Sequence, residues 1–214
     1  MAKTSVTATF ARLALILTAS CCLFFAQTIL VAQVPPDPTR KCTKPKFFVG
    51  VFTDGSGAAK YIERRAALRA SWFPGTPDEL KHVECLYGIT VRFVVGNGEL
   101  TDDPIALKAY HAELRAHNDF LRLNVLDTYP AMTGKTSKMF RHVLSLPEDY
   151  QYMVKIDDDM FVSLPHLSKV AEQWAAMGVD YVGCMTNPGH IFKTEGESPP
   201  LLFCFSVHRA PLHL

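Results

Sequence analysis

Three consecutive carboxylates, Asp157-Asp158-Asp159, stand between the apolar run Tyr152-Met153-Val154-Lys155-Ile156 and the apolar Met160-Phe161-Val162. The run before them has the length and composition of a strand buried by hydrophobic neighbours, which makes it the interior of an α/β sheet. Ending such a strand on carboxylates projects them into the crevice where open α/β sheets bind ligands. Like charges so close together repel, and they are best tolerated with a cation among them. Hard oxygen ligands of this kind favour magnesium or manganese, which keep positions open for water and nucleotide phosphates. A solvated acidic turn is the alternative for the tripeptide alone, and the apolar flanks favour the metal-and-nucleotide reading.

The remaining pattern alternates strands and helices. Phe47 to Phe52 is a continuous apolar run suited to a buried strand, broken by Thr53-Asp54-Gly55-Ser56-Gly57, a loop that can let a ligand approach the backbone. Ala58 to Ser71 has helical composition, with Ile62, Ala66, Leu68 and Ala70 as its apolar side. Thr90 to Gly96 is a second strand, and Pro104 to His117 a helix opened by Asp102 and Asp103, whose charge suits its N-terminus. Phe120 to Leu126 reads as a third strand. Thr133 to Leu146 is a helix with Met139, Phe140 and Val143 inward, and Leu164 to Met177 is another, before a short strand at Asp180 to Cys184. This alternation predicts a mostly parallel α/β sheet with helices on its faces. From Ser198 onward the chain is apolar without a settled period, so residues 198–214 read as an atypical tail on an interrupted domain.

At 214 residues and 48% hydrophobic content the chain holds one domain plus a leader. A formal net charge of +1, from 22 basic and 21 acidic side chains, leaves no electrostatic footprint for nucleic acid. The six cysteines show no zinc-type C-x-x-C pair. Outside the leader stand Cys42, Cys85, Cys184 and Cys204, which allow one or two disulfides whose pairing spacing does not choose. Residues 13–34 carry no charge and follow Lys3 and Arg12, which makes them a membrane-spanning signal anchor with residues 1–12 in the cytosol. A cleaved signal peptide is the competing reading. Either sends the body into the secretory pathway. Residues 35–44, rich in proline and charge, form a stem.

Four blocks, in order, carry a family resemblance. They are Glu63-Arg64-Arg65-Ala66-Ala67-Leu68-Arg69-Ala70-Ser71-Trp72 followed by Pro74; Phe93-Val94-Val95-Gly96; the run from Asp119-Phe120 through Asp127-Thr128-Tyr129 to Thr133-Gly134-Lys135-Thr136; and Tyr152 to Val162 around the acidic triplet. This order resembles the β-1,3-galactosyltransferase family, glycosyltransferase family 31, of the plant and green-algal type. The resemblance implies a GT-A-like nucleotide-sugar-binding fold over residues 45–197, incomplete at its C-terminal end, in a type II protein of the Golgi membrane. It implies a UDP-sugar donor such as UDP-galactose, a manganese ion with magnesium as the alternative, and a glycan or glycoprotein acceptor joined in β-1,3 linkage with inversion. By match of motif, Asp159 is the main metal ligand, and Asp157 and Asp158 place the ribose or complete the metal's water shell. Arg64, Arg65, Arg69 and Lys155 shape or neutralise the donor pocket.

A solvated helix face is the plainer reading of the arginines, core packing that of Trp72, and a surface cation at a helix start that of Lys135. Beyond Cys184 the family's later acidic motif and its acceptor block have no match. No general base is therefore assigned, and His190, Glu195, Glu197 and His208 read as surface residues. The alternative function is a truncated, non-catalytic module that keeps a nucleotide-sugar and metal site and associates with full-length relatives.

Overall fold

The computed structural model describes residues 41–97, 100–183 and 206–209. The expected cytosolic segment and anchor, and His190, Glu195 and Glu197, lie outside these residues. Among the described residues no helix is long and apolar enough to cross a membrane. In chain order the elements are β1 (Phe47–Phe52), α1 (Ala59–Arg69), α2 (Pro77–Tyr87), β2 (Ile89–Val95), α3 (Pro104–Ala116), β3 (Phe120–Arg122), a 3-10 turn (Tyr129–Ala131), α4 (Met132–Leu144), β4 (Tyr152–Asp157), α5 (Leu164–Ala176), β5 (Tyr181–Gly183) and β6 (Ser206–Arg209).

The six strands form one sheet in the order β3-β2-β1-β4-β6-β5. Strand β1 pairs in parallel with β2 and with β4, and β2 pairs in parallel with β3, while β6 lies antiparallel between β4 and β5. This is the mostly parallel α/β sheet that the sequence predicts. The apolar runs of β1 and β4 are continuous because helices cover both faces. On one face Val49, Val51, Val154 and Ile156 pack with Leu68 of α1, Leu80 of α2 and Ala171 of α5. On the other, Phe48, Phe52 and Met153 pack with Met139 and Val143 of α4.

The chain runs outward from β1 to β2 to β3, then crosses back to lay β4 on the opposite side of β1. The order of strands therefore reverses between β1 and β4, the position at which open sheets leave a crevice at their carboxyl ends. Register pairs Phe52 with Asp157, so the loop after β1 and the acidic triplet leave the sheet side by side.

Several elements differ from expectation. The helix α2 adds to the expected elements: Leu80, Val83 and Tyr87 recur at helical spacing and pack on the core, Thr76 caps the helix by accepting from the Glu79 amide at 3.2 Å, and Glu79 accepts from the Gly75 amide at 2.7 Å. Strand β3 stops at Arg122 because the chain turns back over the end of β2, where the Asn97 amide donates to the Val125 carbonyl at 2.6 Å. The apolar side expected for α1 is its buried face only in part: Leu68 is buried and Ile62 half-buried, but Ala66 and Ala70 are exposed and Arg65 is buried in their stead. Within the expected tail, Ser206–Arg209 joins the sheet as β6, a strand whose mixed side chains carry no alternating signal.

Of the four cysteines outside the leader, Cys42 and Cys85 form a disulfide that ties the segment entering β1 to the end of α2. The same junction is held by the Thr43 amide donating to the Cys85 carbonyl at 2.8 Å and the Lys46 amide to the Gly88 carbonyl at 2.7 Å. The bond closes a loop of sequence separation 43. Loop-closure entropy then assigns Cys42→Ser a loss of about 4 kcal/mol, to be read from urea unfolding of the oxidised parent and the variant. A loss under about 1 kcal/mol would show that the backbone bonds alone hold this junction.

Candidate functional site

The loop that follows β1 is fixed by a buried ion pair. Lys135, in the first turn of α4, donates to the Thr53 carbonyl at 2.8 Å and to Asp127 Oδ1 at 2.5 Å. The other oxygen of Asp127 accepts from the amides of Gly55 and Gly96, both at 2.7 Å. Both positions need glycine, since a Cβ on Gly55 would stand 2.7 Å from the Gly96 carbonyl and one on Gly96 2.8 Å from Asp127 Oδ1. Burial pulls the Lys135 ammonium below the ordinary lysine value, against the opposing pull of Asp127, Asp54 and Asp158. The surface cation expected of Lys135 is thus a buried one, 2% exposed, because a tertiary carboxylate and carbonyl meet it there.

A second network lies behind the loop. Arg65, 0% exposed, is bidentate to Glu113 of α3, with Nε at 2.9 Å from Oε1 and Nη2 at 2.7 Å from Oε2. Its Nη1 donates to the Asp54 carbonyl at 3.0 Å and the Thr53 hydroxyl at 3.3 Å. Arg69, one turn along α1, donates to Glu113 at 2.6 Å and to Asp119 at 2.7 Å. Arg65 and Arg69 therefore stand behind the crevice wall with their donors engaged by carboxylates, and not in front of it as free cations. Arg64 points the other way: its side chain is 48% exposed and its Nη1 lies 2.8 Å from Asp158.

The three carboxylates of the triplet have different surroundings. Asp158 is buried and accepts from the Thr53 hydroxyl at 2.7 Å and from Arg64 at 2.8 Å. The hydrogen bond and charge of Asp158, with a smaller contribution from Asp159, raise the Arg64 guanidinium above its ordinary value. Asp157, 44% exposed in its side chain, accepts from Lys155 at 2.8 Å. Asp159 is exposed and makes no hydrogen bond or ion pair with the described residues. The turn beyond is held by the Trp72 indole N–H, which donates to the Met160 carbonyl at 2.9 Å, while the ring packs against the core.

No three His, Cys, Asp or Glu side chains converge into a metal cage among the described residues. Magnesium and manganese do not require one, because one or two carboxylates with water and substrate phosphates complete their shell. Asp157 and Asp159 meet that requirement, whereas both oxygens of Asp158 are engaged. His208, in register with Met153 and stacked edgewise on Phe140 and Tyr181, lies toward the amino end of β4, away from the triplet.

Nothing in the sequence pattern alone assigns a role to Thr53, Glu113, Asp119 or Asp127. The legible signal for Glu113 was its position on the buried face of α3 with Ala106 and Tyr110. Its partners Arg65 and Arg69 stand four residues apart on α1, a spacing that places both on one helix face.

Residues 63–195 match the family model described as galactosyltransferase. Among curated proteins of Arabidopsis thaliana, the chain is 34% identical over 147 residues to the probable beta-1,3-galactosyltransferase 1, covering 69% of this chain and 37% of that protein. It is 30% identical over 138 residues to the probable beta-1,3-galactosyltransferase 13, covering 64% and 38%. It is 34% identical over 134 residues to the probable beta-1,3-galactosyltransferase 8, covering 63% and 33%. The chain thus spans between 33% and 38% of the length of these relatives.

Removing Glu113 leaves two buried guanidinium groups without their shared partner, so Glu113→Gln is expected to cost about 3–5 kcal/mol in urea unfolding at pH 7. Burial pushes the Glu113 carboxyl up, but Arg65 and Arg69 outweigh it and hold it below its ordinary value of 4.5. Its contribution is complete above that value and is lost as pH falls through the lower folded value. The acid side of the stability profile should accordingly be shallower in the variant, and identical slopes would remove Glu113 as its source.

Proposed function

This chain belongs to the galactosyltransferase family, and on that premise we propose that it holds a UDP-hexose, UDP-galactose foremost, in the crevice at the carboxyl ends of β1 and β4 and transfers the sugar to a glycan acceptor. The transfer is a β-1,3 linkage formed with inversion, and it depends on manganese or magnesium. One observation carries the reading: at the point where strand order reverses, Asp157 and Asp159 keep exposed carboxylates beside Arg64 and Lys155, while Asp158 is tied into the crevice floor.

Each side chain has a task that follows from its surroundings. Asp159 and Asp157 would hold the divalent ion. When bound, that ion supplies positive charge to the departing diphosphate without a proton transfer. Arg64 and Lys155 line the same mouth, where positive charge favours the negative charge that develops on the phosphate as its bond to the sugar breaks. Thr53 and Asp158 set the floor, and the Lys135–Asp127 pair holds the loop backbone so that no reorganisation is needed on binding. The acceptor hydroxyl loses its proton to a base within hydrogen-bond reach. None of the described residues is assigned that role.

We place the body of the protein in the lumen of the Golgi, behind a single-pass type II anchor. The Cys42–Cys85 disulfide supports an oxidising compartment.

Calorimetric titration of the full chain with UDP and UDP-galactose, with and without manganese, tests the donor site, and a panel of galactosyl acceptors then tests transfer. Manganese-dependent binding with transfer supports the enzyme, binding without transfer assigns a donor-holding role, and no binding to a folded sample ends the reading. Asp159→Ala removes an exposed carboxylate and opens no cavity. It is expected to change stability by less than about 0.5 kcal/mol while abolishing manganese-dependent binding. Unchanged binding in Asp159→Ala would take the metal away from this residue.

A further inference from the structure

Two ammonium groups flank one ring at the end of β1. Lys135 Nζ lies 5.2 Å and Lys155 Nζ 5.0 Å from the centroid of Phe52. The two are otherwise unlike. Lys135 and Asp127 are each 3% exposed in their side chains, and Lys135 holds both a carboxylate and a backbone carbonyl. Lys155 is 18% exposed, donates to Asp157 Oδ1, and faces a partner that is 44% exposed. Lys135 is a fixed structural cation, and Lys155 is a tethered one with donors to spare.

Resting on the donor-site reading above, we propose that Lys155 is an exchangeable counter-ion: it occupies Asp157 in the absence of ligand and moves to the donor's diphosphate when a divalent cation takes Asp157. Of the two cations at the triplet, this is the one whose carboxylate would also ligate the ion. Arg64, at the mouth, holds Asp158, whose second oxygen is held by Thr53 and which is not one of the ion's ligands, so the ion does not compete for it. A cation shared by Asp157 and Asp159 must compete with the Lys155 ammonium for Asp157. The lysine stem is flexible and its charge compact, so the ammonium can swing from one oxygen anion to another and keep the Phe52 face behind it. Phosphate is a natural acceptor for a lysine acting as a point charge.

Metal binding alone is then weakened by Lys155, and metal binding with nucleotide is strengthened by it, so the residue couples the two ligands. Coupling of this kind is reciprocal: UDP and manganese must tighten each other by one and the same factor.

The test is manganese binding to the full chain, followed by electron paramagnetic resonance of the free ion, with and without UDP, in the parent, Lys155→Gln and Lys155→Arg. Lys155→Gln is expected to raise the affinity for manganese alone by about fivefold, the scale of a partly exposed ion pair. It should also lower the mutual tightening by UDP by at least as much. Lys155→Arg keeps the charge and should keep weak binding of manganese alone, a rescue that a merely structural role would not produce. Manganese affinity unchanged or reduced in Lys155→Gln overturns the exchange while leaving the donor site intact. A parent protein that binds no manganese, with or without UDP, overturns the donor-site reading and the exchange with it.

Discussion

Strand β1 has no free edge and no exposed residue, and this enclosure organises everything else in the fold. All six of its residues are buried, and its backbone groups are shared between β2 on one side and β4 on the other. A strand so placed can connect to the rest only from its ends. Its carboxyl end therefore becomes the floor of the crevice, and β4, in register beside it, delivers the acidic triplet to the same place. Buried backbone groups must find partners, which is why the loop leaving β1 is bound through Thr53, Asp54 and Gly55 to side chains from α1, α4 and the segment after β3.

Those attachments form one continuous polar path. Glu113 holds Arg65, Arg65 donates to the Thr53 hydroxyl, Thr53 donates to Asp158, and Asp158 holds Arg64 at the mouth. Buried networks of this kind are favourable only when every member is satisfied, since an unpaired charge in the interior is costly. The path explains why Asp158 behaves unlike its two neighbours in sequence. It is the inner carboxylate, stabilised by hydrogen bonds, and it leaves Asp157 and Asp159 to face solvent.

A disulfide holds the other end of the domain. Cys42 and Cys85 join the segment ahead of β1 to α2. That junction lies at the amino end of β1, opposite the crevice. The two ends of the parallel strands thus differ, with a covalent tie at one and the acidic triplet at the other.

Much of this was legible in the residues themselves. Continuous apolar runs at Phe47 to Phe52 and Tyr152 to Ile156 can be satisfied only by a sheet covered on both faces, and an acidic triplet after such a run must emerge at its carboxyl end. These are local facts of composition and period, and the family resemblance rested on the same blocks. What tertiary structure alone decided is which charges meet. Lys135 reads as a surface cation until Asp127, eight positions earlier, is folded against it. Arg65 reads as part of a solvated face until Glu113 arrives from another helix, and β6 carries no pattern that would place it between β4 and β5. Hydrophobic burial is written into the chain as a period. The pairing of buried charges depends on distances that exist only once the helices and strands have packed.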